Sequence, residues 1–458
     1  MTTVIQEVGN YLETFSAFNK NAVGRELPWL RKLREEAFAR FCETGFPTTH
    51  DEDWRFTNVA PIAKTQFALP RRTKATATID LKPWILDGAA RLVFVDGQFS
   101  PELSELPNLP AGVSVSSLSQ QIGSKPQELE THLGRFADIR RNAFSALNTA
   151  FIEDGGYVFV RRGKVLEAPI HLLFISSASD LATMTHPHNL LIFEAESQGT
   201  VIEEYVSLGG GSMFSNSVTE LIAGENATVS HYMIEREHRE AFNVSTLRIQ
   251  QARSANVASH SLLLGGGLVR NNVHPVLAGE GGECLINGLF VGQERQHLDN
   301  YMYVEHAQPH CSSRQFYNGI LDGHAHGVFH GRIVVHKDAQ KTDAKQTNRN
   351  LLLSDDAQID TKPQLEIYAD DVKCTHGATI GQIEENALFY LQSRGIDEIS
   401  ARRLLLLAFA SECLDRMRPG IARDHADRLI HEHLLSVANH PSAQPATTAR
   451  KRSWEEVG

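Results

Sequence analysis

The feature of this sequence that most restricts its fold is a long series of short strand-like segments between Tyr157 and Gly381. Apolar and polar residues alternate in segments such as Thr200–Val206 and Thr228–Ile234, and Gly, Asn and Asp residues separate the segments. Alternation with a period of two is typical of strands that bury one face, and Gly, Asn and Asp favour turns. We therefore predict a mainly β core over residues 157–381.

A loose turn signature recurs within this core. Each copy starts with a leucine and continues into Gly, Asn or Asp residues, and the leading leucines are Leu221, Leu277, Leu321 and Leu353. The gaps between these leucines are 56, 44 and 32 residues. Such gaps are too unequal for the blades of a β-propeller, but a solenoid tolerates coils of different length. The pattern alone leaves a β-solenoid and a β-sandwich open.

Helical patterns flank the core on both sides. Residues 1–45 place apolar side chains at helical spacing until Gly45, a second helical pattern runs from about Pro126 to Phe151, and a third begins after Gly381. The predicted regions are a helical and mixed N-terminal region (1–156), the β core (157–381), a C-terminal helical region (382–440) and a disordered tail (441–458).

Composition and charge restrict the function. A hydrophobic content of 41% over 458 residues is enough for a large core and excludes a disordered protein. The net charge is −11, and no basic stripe occurs, so we expect no nucleic-acid partner. The start of the chain lacks a signal-peptide core, and the longest apolar run, Leu404–Ala410, is much shorter than the ~20 residues of a membrane span. We expect a soluble, cytoplasmic protein with reduced cysteines and no membrane contact.

The sequence carries no motif of a nucleotide-hydrolysing enzyme. Gly209-Gly-Gly-Ser and Gly265-Gly-Gly-Leu resemble phosphate-binding loops, but neither has the GxxxxGK[ST] spacing that supplies a lysine to phosphate and a hydroxyl to magnesium. A GxSxG elbow is also absent, and the two histidines of His431-Glu-His433 face different sides of a helix. We predict a protein that is not itself an enzyme.

Two groups of residues are candidates for metal chemistry. Seven histidines fall within residues 297–336, and they fit either a metal site or polar side chains on the outer face of a sheet. The second group is Cys374-Thr-His376, in which the strand period of two places a thiol and an imidazole on one face. An imidazolium lowers the pKa of a nearby thiol, and both groups bind iron, so Cys374 and His376 are the predicted functional pair.

Longer segments resemble a known family. Residues 329–354, 363–382 and 388–395 are similar to the core signature of the SufB/SufD family, and Glu52-Asp-Trp-Arg-Phe-Thr57 is similar to its N-terminal element. The sequence around Cys374 and His376 is similar to the SufD branch, because the SufB branch typically carries Glu-His-Glu-Ala there and a separate cysteine in the preceding core. A SufB-type paralogue remains the alternative within the family.

The resemblance implies a right-handed parallel β-helix flanked by helical regions, and a scaffold for iron-sulfur cluster assembly. It implies pairing with SufB through the β-helices and binding of the SufC ATPase through the C-terminal helices, for which Leu404, Leu405 and Ala408 are the candidate contacts. It also implies indirect partners, namely a cysteine desulfurase that supplies sulfur and the apo-proteins that receive clusters. His376 and Cys374 would then meet a nascent cluster at the interface with SufB.

The resemblance implies no resident cofactor. Iron or a transient iron-sulfur cluster is expected at the interface with SufB, and a reduced flavin is associated with complexes of this family, although no sequence feature here requires one. Two alternatives of other classes stay open. One is a purely structural subunit, and the other is a β-helix enzyme acting on polysaccharide, which would need paired carboxylates or a Ca²⁺ site and a secretion signal.

Overall fold

The computed structural model describes residues 2–70, 79–107, 109–179 and 181–438. The predicted tail from 441 to 458 lies outside these residues. The helices are α1 (Thr2–Asn21), α2 (Pro28–Thr44), α3 (Ala60–Lys64), α4 (Leu118–Ser124), α5 (Pro126–Glu130), α6 (Ala143–Ala150), α7 (Glu385–Ser393), α8 (Glu398–Leu414) and α9 (Ile421–Ala438).

The strands run from the N-terminal region to the end of the predicted core. They are β1 (Ala90–Val95), β2 (Gln98–Glu105), β3 (Val113–Ser117), β4 (Gly156–Val160), β5 (Ile170–Ser176), β6 (Thr183–Thr185), β7 (His188–Phe193), β8 (Gln198–Ser207), β9 (Met213–Ala223), β10 (Thr228–Arg236), β11 (Phe242–Gln251), β12 (Asn256–Leu263), β13 (Leu268–Leu277), β14 (Glu283–Gly292), β15 (His297–His306), β16 (Ser312–Leu321), β17 (His326–Val335), β18 (Asp343–Leu352), β19 (Gln358–Ile367) and β20 (Lys373–Gly381).

From β7 to β20, successive strands alternate between two sheets. Sheet 1 has the order β2-β1-β5-β8-β10-β12-β14-β16-β18-β20, and sheet 2 has the order β19-β17-β15-β13-β11-β9-β7-β4-β3, with β6 beside β9. Apart from the antiparallel pairs β1–β2 and β3–β4, all strand pairs are parallel. The chain therefore winds as a parallel β-solenoid of about eight turns, and the predicted mainly β class and parallel β-helix are confirmed.

The coils differ in length. Phe242 pairs with Leu268, 26 positions later, whereas His326 pairs with Gln358, 32 positions later. Between the two sheets, buried apolar side chains such as Val257 and Leu298 form one continuous core. Each coil buries one side of its strands against the strands opposite, because alternate side chains of a strand point to opposite faces.

One corner of the solenoid repeats the same backbone conformation. A residue with positive φ stands in the turn from sheet 2 to sheet 1 in six successive coils: Glu196, Asn226, Ser254, Gly281, His310 and Lys341. The N–H of each of these residues donates to a carbonyl of the next coil, for example Asn226 to Arg253 at 3.0 Å. A left-handed conformation costs about 1 kcal/mol outside glycine. The hydrogen bonds that join neighbouring corners offset that cost.

The N-terminal region packs on the outer face of sheet 2. Aromatic side chains of α1, α2 and α6, including Phe38 and Phe144, bury Phe214, Val244 and Leu268 of that face. The N-terminal region also supplies β1, β2 and β3 to the first coil, which cover the start of the solenoid. The predicted end of a helix at Gly45 is confirmed, because α2 ends at Thr44 and Gly45 caps it with φ 64°.

The prediction of one helical stretch from Pro126 to Phe151 is wrong, because α5 ends at Glu130 and α6 begins only at Ala143. The intervening loop is held by Glu220 of β9, which accepts hydrogen bonds from the backbone N–H of Gly134 (2.6 Å), Phe136 (2.6 Å) and Ala137 (3.2 Å). These three hydrogen bonds satisfy the buried carboxylate, and they stabilise the loop relative to a continuous helix.

The C-terminal helices pack on the outer face of sheet 1. The apolar side chains of α8 and α9 bury residues of β10, β12, β14 and β16, such as Leu262 and Phe316. Two asparagines of the sheet anchor α8: Asn287 donates to the carbonyl of Cys413 at 2.9 Å, and Asn318 donates to that of Phe409 at 2.8 Å. The two helical regions thus cover opposite faces of the solenoid.

Candidate functional site

The end of the solenoid formed by β19 and β20 is the site to which the predicted pair belongs. β20 is the last strand of sheet 1 and β19 the last strand of sheet 2, so each has a neighbour on one side only within the described residues. In β20 every residue except Cys374 is exposed, including Ile380 at 52%. This end therefore presents unpaired backbone groups and exposed side chains, in contrast to the covered first coil.

Cys374 lies at the end of a column of side chains that points into the solenoid. It is in register with Ala344, and Ala344 is in register with the buried Ser313 of the preceding coil. The Cys374 side chain is half-buried and packs against the inner core. Burial raises the pKa of the Cys374 thiol. The expectation of a lowered thiol pKa is therefore wrong for Cys374, because burial raises the pKa of this thiol.

His376 lies two residues further along the same face of β20. It is in register with Gln346, whose Nε2 donates to Oε1 of Gln315 at 2.9 Å inside the solenoid. Unlike Cys374, His376 is exposed. The strand alternation brings the thiol and the imidazole to one face, as the spacing indicated, and the imidazole is the more accessible of the two.

The histidine-rich segment does not assemble into one site. His297, His326 and His330 occupy the outer face of sheet 2, where the outer-face hypothesis places them, whereas His306 is buried and His310 is one of the repeating corner residues. Across the described parts of the chain, no group of three or more His, Cys, Asp or Glu side chains is placed to hold a metal ion.

The glycine run that begins at Gly265 serves packing between coils. A Cβ at Gly265 would lie 2.5 Å from the carbonyl oxygen of Glu237, and one at Gly267 would lie 2.3 Å from that of Arg239. Glycine lets the turn before β13 lie against the turn of the preceding coil. Close packing of the backbone therefore accounts for the glycine run, and no bound phosphate is needed to explain it.

The C-terminal helices present an apolar surface to solvent. Of the predicted contacts, Leu404 is 47% exposed, Ala408 is exposed one helical turn later, and Leu405 is half-buried. The sequence reasoning missed two neighbours in α7, Phe389 at 72% and Tyr390 at 58% exposure. The sequence did contain a signal for them, because α7 is a short helix with apolar residues around its whole circumference. If such a helix buries only one face, some of its apolar side chains remain in water.

Within the described residues, none of the helices combines the length and the apolar composition of a membrane span.

Comparison with known proteins assigns both halves of the chain to one family. Residues 174–409 match the family described as "SUF system FeS cluster assembly, SufBD core domain", and residues 5–172 match "SufBD protein N-terminal region". A SufBD family iron-sulfur cluster assembly protein of Synechocystis is 34% identical over 81% of this chain and 84% of its own length. The iron-sulfur cluster assembly protein SufD of Escherichia coli is 32% identical, covering 84% of this chain and 88% of that protein.

A more distant relative matches a similar share of this chain. The iron-sulfur cluster assembly protein SufD of Bacillus subtilis is 23% identical over 89% of this chain and 93% of its own length. The matches span the N-terminal region, the solenoid and most of α8, and so include the segments on which the resemblance rested. The chain belongs to the SufB/SufD family of iron-sulfur cluster assembly proteins.

Proposed function

We propose that this chain is a SufD-type scaffold subunit that pairs with SufB through the open end of its solenoid and binds the SufC ATPase through its C-terminal helices. The observation that carries this proposal is the uncovered last coil. A solenoid needs a cap at each end, because a terminal coil otherwise exposes its backbone and its core. A second solenoid of the same family can provide that cap.

The two edge strands of this coil differ in their protection. β19 carries Asp360, Lys362 and Pro363, the charged and proline residues with which natural edge strands prevent pairing. After Lys373, β20 contains no Asp, Glu, Lys, Arg or Pro. The uncharged stretch from Cys374 to Gly381 is suited to main-chain pairing with a strand of another protein. We assign the SufB contact to β20.

Cys374 and His376 give this edge its chemistry. Two side chains supply two ligands, whereas an iron-sulfur cluster is typically held by four, so the remaining ligands would come from SufB. His376 is the more important ligand in this proposal, because a neutral imidazole binds iron without losing a proton and a thiol with a raised pKa does not. The nascent cluster is the cargo of the complex, and the chain needs no resident cofactor. A reduced flavin would belong to the assembled complex.

The SufC contact is assigned to the exposed apolar surface of α7 and α8. Leu404 and Phe389 expose large side chains that the chain's own core does not use. Exposed apolar patches of this kind mark protein-protein contacts. ATP hydrolysis would reside in SufC, since this sequence has no phosphate-binding loop. Sulfur from the desulfurase and delivery to apo-proteins would reach this chain through the complex.

The test is anaerobic co-expression with SufB and SufC, with an affinity tag on this chain. In Gly377→Lys, the new side chain enters open space and adds a charge to the edge, because nothing lies within 4 Å of a Cβ there. We expect it to reduce SufB recovery by about tenfold, corresponding to ~1.4 kcal/mol, while SufC recovery stays unchanged.

The matched control is Gly123→Lys, which also enters open space but lies in α4. It should recover SufB like the unmodified chain. Normal SufB recovery by Gly377→Lys would contradict the assignment of β20. Recovery of a second copy of this chain in place of SufB would show that the edge serves a homodimer.

A further inference from the structure

A cavity of about 460 Å³ lies between the N-terminal region and the outer face of sheet 2. One wall contains Trp54 and Ser145 of the N-terminal region, and the other contains Thr246 and Arg248 of β11 with side chains of β13, β15 and β17. Its size is that of pockets that hold small organic molecules. It lies on the sheet opposite to the C-terminal helices and is separate from the β20 edge.

The cavity contains two arginines without an ion-pair partner. Arg270 and Arg332 also line it, but Arg270 pairs with Asp299, and Arg332 pairs with Glu366 at 2.6 Å. No described carboxylate lies within 4 Å of the guanidinium groups of Arg141 and Arg248. Arg248 contacts the ring of His274, and burial lowers its pKa. Carboxylates such as Asp138 act on Arg248 only at longer range, and a half-buried cation that makes no ion pair favours an anion beside it.

The acidic residues of the cavity are already engaged. Asp53 lies beside the Tyr301 hydroxyl, and Asp138 accepts hydrogen bonds from the backbone N–H groups of Arg140 and Arg141, each at 3.3 Å. The carboxylates therefore stabilise the walls, and the two arginines remain available to a ligand.

Several hydrogen-bonding groups of the cavity also lack partners. Ser145 Oγ, Thr246 Oγ1 and Arg332 Nε are buried, and none has a hydrogen-bond partner within the described part of the protein. Ser145 is completely buried. Buried polar groups are nearly always hydrogen-bonded, and the two hydroxyls can each donate to an acceptor in the cavity. These unpaired donors favour a ligand that carries acceptor oxygens.

An arginine of the cavity covers one face of each aromatic ring. The guanidinium carbon of Arg270 lies 3.8 Å from the centre of the Trp54 ring and 4.7 Å from that of Tyr301. Arg332 covers Tyr303 at 5.2 Å. These rings hold the arginines in place, so a ligand is selected by its anionic group.

We propose that this cavity binds a small organic anion through a phosphate or carboxylate group, with Arg141, Arg248, Ser145 and Thr246 as its ligands. Trp54 of the N-terminal region and β11 of the solenoid both contribute to the cavity, so the anion would also join these two parts of the chain. This site goes beyond the scaffold function, because neither SufB nor SufC is needed to form it.

Isothermal titration calorimetry of the full chain at constant ionic strength tests the site, with inorganic phosphate and citrate titrated separately. We expect saturable binding of at least one probe. Arg248→Gln and Arg141→Gln should each weaken it about tenfold or more, the usual effect of removing a hydrogen bond to a charged group. Phosphate binding alone would indicate a phosphate ester as the natural ligand, and citrate binding alone would indicate a carboxylate.

Arg140→Gln is the matched control, since Arg140 precedes Arg141 and does not line the cavity. It should bind like the unmodified chain. Arg141 is exposed, so Arg141→Gln should keep the fold even if substitution of the half-buried Arg248 does not. Absence of binding by both probes, or equal binding by the unmodified chain and Arg141→Gln, would show that the cavity holds only water and overturn the proposal.

Discussion

His376 and Cys374 share one face of β20, yet their surroundings differ. The cysteine packs against the inner core and its thiol pKa is raised by burial, whereas the histidine stands in solvent at the open end. A group that must lose a proton in a desolvated position is a weak metal ligand near neutral pH. Burial therefore distinguishes two side chains that their spacing in the sequence made equivalent.

This difference predicts unequal effects of two substitutions in cells that depend on the SUF system. His376→Ala should leave the complex intact and reduce the cluster content of the purified complex severalfold, because it removes the accessible ligand. Cys374→Ala should have a smaller effect. Iron and acid-labile sulfide analysis after anaerobic purification measures both, with the exposed His50→Ala as control. Equal cluster content in His376→Ala and the control would leave this chain a purely structural role.

Helix α8 has two apolar faces with different tasks. One buries Leu406 and Phe409 against sheet 1, and the other exposes Leu404 and Ala408. Deleting everything after Gly381 would uncover the apolar outer face of sheet 1, including Leu262 and Phe316, so a truncated chain would test folding as well as binding. A substitution on the exposed face of α8 tests SufC binding separately from folding.

Leu404→Glu should reduce SufC recovery by about tenfold or more, because it places a charge in the proposed apolar contact. The thermal midpoint of unfolding should change by only a few degrees, since the side chain is 47% exposed. The control is Leu12→Glu in α1, where the leucine is 57% exposed on a different helix. SufC recovery by Leu404→Glu equal to that by Leu12→Glu would move the contact away from α8.

In the whole molecule, buried polar groups join the helical regions to the solenoid and make stability depend on pH. Glu204 of β8 lies between His171 and His425 of α9; burial raises its pKa, but the hydrogen bonds of the two histidines lower it further, to well below its ordinary value. Other histidines are buried without a carboxylate. Burial lowers the pKa of His186 to about 3, far below its ordinary 6.5.

A histidine with a lowered folded-state pKa is neutral when folded and takes up a proton on unfolding. The contribution of such a histidine to the free energy of unfolding is therefore fully present above pH 6.5. It is lost by about 1.4 kcal/mol per pH unit as the pH falls toward the folded-state pKa. Buried carboxyls with raised pKa, such as Glu235 and Glu237, act in the opposite sense. A single substitution isolates the histidine from these opposing groups.

His186→Gln removes the titrating group from its site beside Asn216. Between pH 6.5 and 4.5, the unmodified chain should lose about 1.4 kcal/mol more unfolding free energy per pH unit than this variant. Urea unfolding at a series of pH values measures the difference, and the exposed His50→Gln should follow the unmodified chain. Parallel stability curves for His186→Gln and the unmodified chain would contradict the neutral buried state of His186.

Local patterns in the sequence determined the character of the solenoid. The irregular leucine gaps have a simple origin: Leu221 and Leu277 both lie in sheet 2 and are two coils apart, Leu321 lies in sheet 1, and Leu353 follows β18 of the same sheet one coil later. Alternation also placed Cys374 and His376 on one face, and Gly45 marked a helix end. These features depend on neighbours along the chain, so the sequence carries them directly.

Tertiary structure alone decided which of these surfaces are exposed. The loop after Glu130 is held by Glu220, and the cavity brings Trp54 to Arg248, both across large sequence separations. The unequal exposure of Cys374 and His376 follows from their position in the last coil. Burial and the openness of an edge depend on which distant segments pack together, and a pattern of period two or 3.6 contains no information on that pairing.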